Sequence, residues 1–233
     1  VSMTAGHFIA HLKLALLCNE YFDHCFIEGD TLETSDVVNG GAELFLYQSG
    51  YLTIKGYDDG VYILGFPNFE VRKALYSVVV PALTMKSNSE VVSAQSFLRK
   101  MMQDGNTAEA KKALKALIAD VPYSNKKMAS MNMEERYRLI MSTIFRALGF
   151  RVEVERMLAT GRIDMIVEVP SFIYVLELKL SNNGGISAAE SQIKEKSYTE
   201  PFKADKRKVI ALAVELDEKG KGLIDWKEVD ESL

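Results

Sequence analysis

The chain is poor in the features that would staple it, anchor it in a membrane or let it hold a nucleotide. Two cysteines, Cys18 and Cys25, in 233 residues cannot build a disulfide framework, and their apolar context reads as a buried, reduced pair in a cytoplasmic protein. No apolar run reaches the roughly 18 residues that span a bilayer, and the longest candidate, Phe8 to Cys18, is broken by His11 and Lys13. No arginine-led segment with a small-residue cleavage site is apparent, so no signal peptide is expected. All the histidines, His7, His11 and His24, fall in the first segment. His7 and His11 have the spacing of helix ligands, but the CxxC or HExxH texture of zinc sites is missing. A zinc cluster is therefore not expected, and no histidine is offered as a catalytic base. GxxxxGK[ST] is absent too, so this chain has no ATP site of that kind. Net positive charge is also lacking: the formal charge of −4 does not advertise a nucleic-acid binder. That weighs only mildly, because a carboxylate-built metal site is acidic by construction and basic residues can be local.

What remains is an ordinary globular composition, 48% apolar and 26% charged, long enough for one large domain or two small ones. The informative stretch is Arg162 to Lys179, RIDMIVEVPSFIYVLELK. Ile163, Met165, Val167 and Val169 alternate up one strand, Pro170-Ser171 breaks it, and Phe172, Tyr174, Leu176 and Leu178 return on the same face. This pattern reads as a β-hairpin. If the turn is Pro170-Ser171, Val169 faces Phe172 and, further down, Asp164 faces Glu177. Opposed like charges with Cβ atoms about 5 Å apart destabilise a sheet. Lys179 lies on the same face as Glu177, roughly 7 Å along the strand. Two hard carboxylates that repel until a cation arrives describe a Mg²⁺ or Mn²⁺ site.

The Asp164, hairpin, Glu177-Leu178-Lys179 arrangement resembles the PD-(D/E)xK nuclease superfamily, with its restriction-endonuclease-like fold. Ile163 stands where the motif's proline would be, a departure that removes no ligand. The resemblance implies that Asp164, Glu177 and the Leu178 carbonyl hold Mg²⁺ or Mn²⁺ and that Lys179 handles the attacking water or the phosphate. Glu135 sits in a string similar to the family's N-E-R-Y signature, where an acid completes the metal site or orients a water. It can equally be the third position of a capping box opened by Asn132. Gln192 and Lys196, one turn apart on a helix, fall in QIKEKSY, which resembles QIxxKxY. The resemblance points both at the site, and the alternative is a polar helix surface. Arg162 matches G-R-x-D and could pin a phosphate, pair with Asp164 or be an ordinary strand-edge arginine. Lys203, Lys206, Arg207 and Lys208 form the most basic cluster, the best local candidate for phosphate contacts, with Lys206 and Arg207 foremost.

A second resemblance covers Leu44 to Leu75, LFLYQSGYLTIKGYDDGVYILGFPNFEVRKAL. It is similar to a segment of a bacterial family that fuses an AAA-type ATPase to a PD-(D/E)xK nuclease domain, where it follows the ATPase core and precedes the nuclease. Either the chain starts after such a core or this member never had one.

Along the chain, residues 5–20 have helical spacing, and Glu20 to Glu43 carries seven acids and no lysine or arginine. A hairpin with an Asp58-Asp59-Gly60 turn follows, then a helix from Phe69 to about Val80 capped by Asn68. Two helical patterns, Ser89 to Gln103 and Thr107 to Asp120, flank Asp104-Gly105-Asn106, and Ser124 to Ser130 is a basic, polar linker. Met131 to Leu148 reads as a strong helix stopped by Gly149, and Phe150 to Leu158 as the first strand of the last domain. Ser181 to Gly185 is a flexible loop, after which a Ser187–Glu190 capping box starts a helix to about Tyr198. Val209 to Leu216 is a strand, and Ile224-Asp225-Trp226 a packing lid.

The expected fold class is α/β. A C-terminal restriction-endonuclease-like mixed sheet flanked by helices (128–233) follows a helical linker (87–127) and an N-terminal, mainly helical domain with a β-wing (1–86). The leading expectation is a metal-dependent nuclease acting on nucleic acid, with no membrane association. The alternative is a nucleic-acid or protein interaction module that keeps the fold without turnover. A structural subunit using the acidic 20–43 segment as an interface rests on charge alone. Substrate form and oligomeric state stay open.

Overall fold

The structure, a computed structural model, describes residues 25–33, 41–84, 86–119 and 132–230. His7, His11, His24, Cys18, the helix expected over 5–20 and the linker 124–130 lie outside the described residues. The chain divides into two compact units, Val1–Val79 and Val80–Leu233.

The first unit carries a three-stranded antiparallel sheet in the order β1-β3-β2, formed by β1 (Cys25–Glu28), β2 (Thr53–Asp58) and β3 (Val61–Gly65). Two helices, α1 (Gly29–Glu33) and α2 (Gly41–Gln48), separate β1 from β2. The expected hairpin is present, with Asp58 paired to Val61 and positive φ at Asp59 and Gly60, as a tight turn between twisted strands requires. β1 is an addition to the expected β-wing. It falls in the acidic stretch, where Cys25 and Ile27 alternate inward over too few residues to stand out. Cys25 is free and buried, and burial pushes its thiol up to about 12. Asn68 caps α3 (Phe69–Thr84) by accepting the Val71 amide proton at 2.9 Å. This helix runs past the expected Val80, carrying Pro81 inside it.

The second unit is built on a five-stranded mixed sheet in the order β4-β5-β6-β7-β8. Its strands are β4 (Arg151–Leu158), β5 (Gly161–Glu168), β6 (Phe172–Leu180), β7 (Lys208–Leu216) and β8 (Leu223–Val229). β4, β5 and β6 are antiparallel neighbours; β6 and β7 run parallel, joined through helix α7 (Gly185–Lys196). Parallel neighbours need such a crossover. One face of β6 and β7, with Ile173, Val175, Ala211 and Ala213, packs against Ala189 and Ile193 of α7 and against Tyr198 and Phe202. The mixed sheet flanked by helices is the expected architecture.

Helices α4 (Asn88–Gln103), α5 (Thr107–Ile118) and α6 (Met133–Ala147) complete this unit. α4 and α6 each begin with a capping box, Ser87–Glu90 and Asn132–Glu135. α5 buries Ala110, Ala113, Leu114, Leu117 and Ile118, the spacing of a single core-facing stripe. The α4–α5 hairpin, within the stretch expected as a helical linker, is docked on the sheet. Tyr174 donates its hydroxyl proton to the Met102 carbonyl at 2.6 Å, Trp226 Nε1 donates to the Thr107 carbonyl at 3.0 Å, and Lys111 pairs with Asp225 at 2.6 Å. The expected lid at Ile224-Asp225-Trp226 is the middle of β8, paired along β7. The alternation that would have marked it as a strand is hidden by Asp225, Lys227 and Glu228 on an edge.

The α4–α5 turn places Gly105 at φ +73, where an added Cβ would lie 2.4 Å from Phe172 Cζ. Gly105→Ala is therefore expected to lower stability by about 1–3 kcal/mol, read as a fall in the urea midpoint. An unchanged midpoint would mean that the hairpin does not pack on β6 as described.

Candidate active site

The β5–β6 ladder runs from Glu168↔Ile173 to Met165↔Leu176, so partner numbers add to a constant as the Pro170-Ser171 turn requires. One step further that register sets Asp164 opposite Glu177. There the ladder stops, and Asp164 Oδ2 instead accepts the backbone N–H of Leu178 at 2.9 Å. Lys179 Nζ donates to Glu177 Oε1 at 2.5 Å. The structure thus brings Asp164, Glu177 and Lys179 together, with side chains 6%, 1% and 15% exposed.

Burial at this level makes the charges expensive. It pushes Glu177 up to about 8, helped by the Asp164 charge and opposed by Lys179. Burial also works against the Lys179 ammonium, but the bond to Glu177 and the charges of Glu177, Asp164 and Glu134 outweigh it and raise its pKa. The second Glu177 oxygen, Oε2, is buried with no hydrogen-bond partner. A buried carboxylate oxygen without a donor is unusual and calls for a missing positive partner.

α6 brings its own charges to this place. Glu135 takes up the capping-box reading, its carboxylate accepting the Asn132 amide proton at 3.1 Å. Glu134 is the first-turn acid that feels the cluster. Burial raises it, Asp164 raises it further, and Lys179, Arg138 and Arg162 pull it down. One turn on, Arg138 is 10% exposed and reaches Glu155 Oε1 at 2.6 Å, Glu134 Oε1 at 3.3 Å and Asp164 Oδ1 at 3.6 Å.

The remaining expected residues divide. Arg162 lies beside the cluster, its Nη1 2.9 Å from Glu155 Oε1. It pairs with Glu155, not with Asp164. Gln192 donates to the Tyr198 hydroxyl at 2.9 Å, which donates to the Arg162 carbonyl at 2.7 Å. Gln192 therefore reaches the start of β5 through Tyr198. Lys196 is half-buried on the same side, its carbonyl accepting from Thr160. The helix carrying both residues starts at Gly185, and Glu190 pairs with Lys194 and Lys227 where the expectation put it in a capping box with Ser187.

Lys206 and Arg207 are not brought to the cluster. Lys208 pairs with Phe172 while Lys179 pairs with Glu215, which is about 23 Å along the strand at 3.3 Å per residue. The Arg207 guanidinium is moreover held by Asp205 at 2.8 Å and Glu168 at 2.9 Å. A basic run in sequence is a charged patch only if its partners are elsewhere, and two of its partners are here.

Glu134, Arg138, Glu155 and Tyr198 are the neighbours that sequence reasoning passed over. The Glu134/Arg138 spacing of one helical turn and the Tyr198 of QIKEKSY were visible; what they faced was not. Among the described residues no group of three His, Cys, Asp or Glu side chains is arranged to hold a metal. A donor set here would be two carboxylates plus a main-chain carbonyl. The buried, unpartnered Glu177 Oε2 beside Asp164 fits such a cation, since both donors are hard oxygens.

Residues 132–226 match the PD-(D/E)XK nuclease superfamily. The matched region runs from the cap of α6 to the Trp226 of β8, so α6, the Asp164 hairpin and α7 all lie within it. An "Uncharacterized protein in vnfD 5'region" of Azotobacter chroococcum mcd 1 is 26% identical over 216 residues, covering 87% of this chain. The chain spans about 40% of that relative's length. No solved structure matches.

The Glu177 environment yields a test. Its carboxyl binds a proton more tightly in the folded chain than in the unfolded one, so its contribution is full below the ordinary 4.5 and is lost as pH rises through about 8. Glu177→Gln cannot ionise there. In metal-free protein the stability advantage of Glu177→Gln over the parent is expected to grow between about pH 5 and 8, read from thermal midpoints. A gap that stays constant with pH would contradict a strained carboxylate at this position.

Proposed function

We propose that this domain is a metal-dependent nuclease, hydrolysing phosphodiester bonds of nucleic acid, with Mg²⁺ or Mn²⁺ held by Asp164, Glu177 and the Leu178 carbonyl. The observation that carries the reading is the buried Asp164–Glu177 couple with one carboxylate oxygen unpartnered and Lys179 alongside. The Lys179 pairing relieves part of the charge, but no contact serves Glu177 Oε2. When bound, a divalent cation supplies an activated water and neutralises charge on the phosphate.

The chain's own residues do the rest. Asp164 is oriented by the Leu178 amide, so its other oxygen, 3.6 Å from Arg138, is fixed before any ligand arrives. Lys179, held beside Glu177, is positioned to orient the attacking water or to meet charge developing on the phosphoryl oxygens. Glu134, one residue before the acid expected from sequence, takes the role of a nearby acid that orients a water ligand. Gln192 acts through Tyr198 by fixing the Arg162 carbonyl and so the start of β5. Arg162 and Lys196 flank the site and supply backbone phosphate contacts; Lys206 and Arg207, about 23 Å along the sheet by strand rise, could meet only a more distant part of the same nucleic acid.

The 44–75 resemblance supports coupling to an ATPase-like module outside this chain. A relative in which the matching region is about 40% of the length has chain enough for one. The competing reading is an interaction module that has kept the fold without turnover.

A cleavage assay with Mg²⁺ or Mn²⁺ on single- and double-stranded DNA and RNA separates the two. Lys179→Ala and Asp164→Ala are each expected to reduce cleavage by about 10²-fold or more, the scale of losing one electrostatic stabiliser of the transition state. Glu135→Ala should cost far less than Glu134→Ala. Metal-independent binding with no cleavage of any substrate form would favour the interaction module.

A further inference from the structure

The described residues pose a question that the two carboxylates and the lysine do not answer: what holds this many acids together before a cation arrives. In the β4–β5 ladder Val154 pairs with Met165 and Arg156 with Ile163, so Glu155 stands opposite Asp164 in register. Asp164 is therefore flanked by an acid on each neighbouring strand, Glu155 on β4 and Glu177 on β6, with Glu134 above from α6. The Glu155–Asp164 pair is missing from the ladder, and Glu155 has φ +55. A non-glycine residue in the left-handed region inside a strand is held there by its surroundings. What holds it is its carboxylate, which accepts from Arg138 at 2.6 Å and lies 2.9 Å from Arg162.

Arg138 is the more telling partner. A buried arginine is normally matched by hydrogen bonds all round. Here Nη1 is given to Glu155 and Nη2 is shared between Glu134 and the more distant Asp164, while Nε is buried with no acceptor. That incomplete satisfaction suits a group retained for its charge at this place.

We infer that Arg138, clamped by the strained Glu155, is a built-in counter-ion of the acidic cluster: a positioning residue that keeps the metal-free site folded and holds its cation affinity down. This rests on the metal-site reading above. The affinity effect follows from sign and distance. A fixed positive charge beside Asp164 repels an incoming cation. Glu155 draws that charge away from Asp164, so the two residues must act on affinity in opposite directions. Asp164 stays oriented by the Leu178 amide in either variant.

The test is titration of metal-free protein with Mn²⁺, followed by calorimetry and by the rise in thermal midpoint, for the parent, Arg138→Met, Arg138→Lys and Glu155→Gln. Arg138→Met is expected to bind Mn²⁺ on the order of tenfold more tightly, the size of one unit charge at this range in a partly screened site. Glu155→Gln is expected to bind several-fold more weakly, and Arg138→Lys to stay near the parent. Both variants weakening Mn²⁺ binding, or neither changing it, would overturn the inference in favour of a packing role. Should the parent itself fail to bind Mn²⁺, the metal-site reading falls, and the metal-free arm still decides this one. Arg138→Met should lower the thermal midpoint, and adding Glu155→Gln to it should recover part of the loss by removing an acid that then keeps only the half-exposed Arg162 to offset its repulsion of Asp164. A double variant no more stable than Arg138→Met alone would sink the counter-ion role.

Discussion

The repulsion between Asp164 and Glu177, forced by strand register into a buried place, is the constraint around which the second unit is arranged. A sheet in which opposed acids are both below a tenth exposed is unstable by itself. Three responses are built into the fold. The ladder stops before the pair, so Asp164 can take an amide proton from Leu178. Lys179 folds back onto Glu177. Arg138 enters from α6 to face the other side of Asp164. None of the three serves Glu177 Oε2, which remains buried and without a donor. The local strain is thus reduced and not removed, the state expected of a site whose last partner is a ligand.

The rest of the unit keeps those groups in place. α7 and the Tyr198–Phe202 segment fill one face of β6 and β7 with small and aliphatic side chains, so Glu177 at the end of that face is walled in by apolar neighbours. On the opposite face the α4–α5 hairpin is tied to the sheet through Tyr174, Trp226 and Lys111. Strand-borne functional groups supported in this way are held more accurately than groups on loops. The chain's negative charge is consistent with such a site: acids that would be dispersed on a surface are concentrated here.

Much of this was legible from the residues. Alternation around Pro170-Ser171 fixed the hairpin, and hairpin arithmetic alone brought Asp164 to Glu177, because a two-residue turn leaves no freedom in register. The mixed sheet flanked by helices was expected as well, although β8 was not. Where expectation and structure part, the missing knowledge was of partners. Glu135 and Glu134 are adjacent acids on the first turn of one helix; the Asn132-x-x-Glu135 spacing already offered Glu135 as the capping acid, and only the packing of α6 decides that Glu134 faces Asp164. Lys206 and Arg207 looked like a phosphate patch because the Glu168 that holds Arg207 reaches it only through the fold; Asp205, two residues away, is a local partner that the pattern left unweighed. Glu155 carried no signal at all, since its role depends on a backbone conformation that glutamate does not advertise. β8 was obscured by the polar residues that an edge strand presents to water.

The most direct measurement is an anomalous difference map from crystals of this protein soaked in Mn²⁺. The account predicts a peak within coordinating distance of both Asp164 and Glu177, with Glu177 Oε2 among the ligands. Well-ordered density for both carboxylates with no peak between them, at Mn²⁺ concentrations that saturate other sites in the crystal, would contradict it.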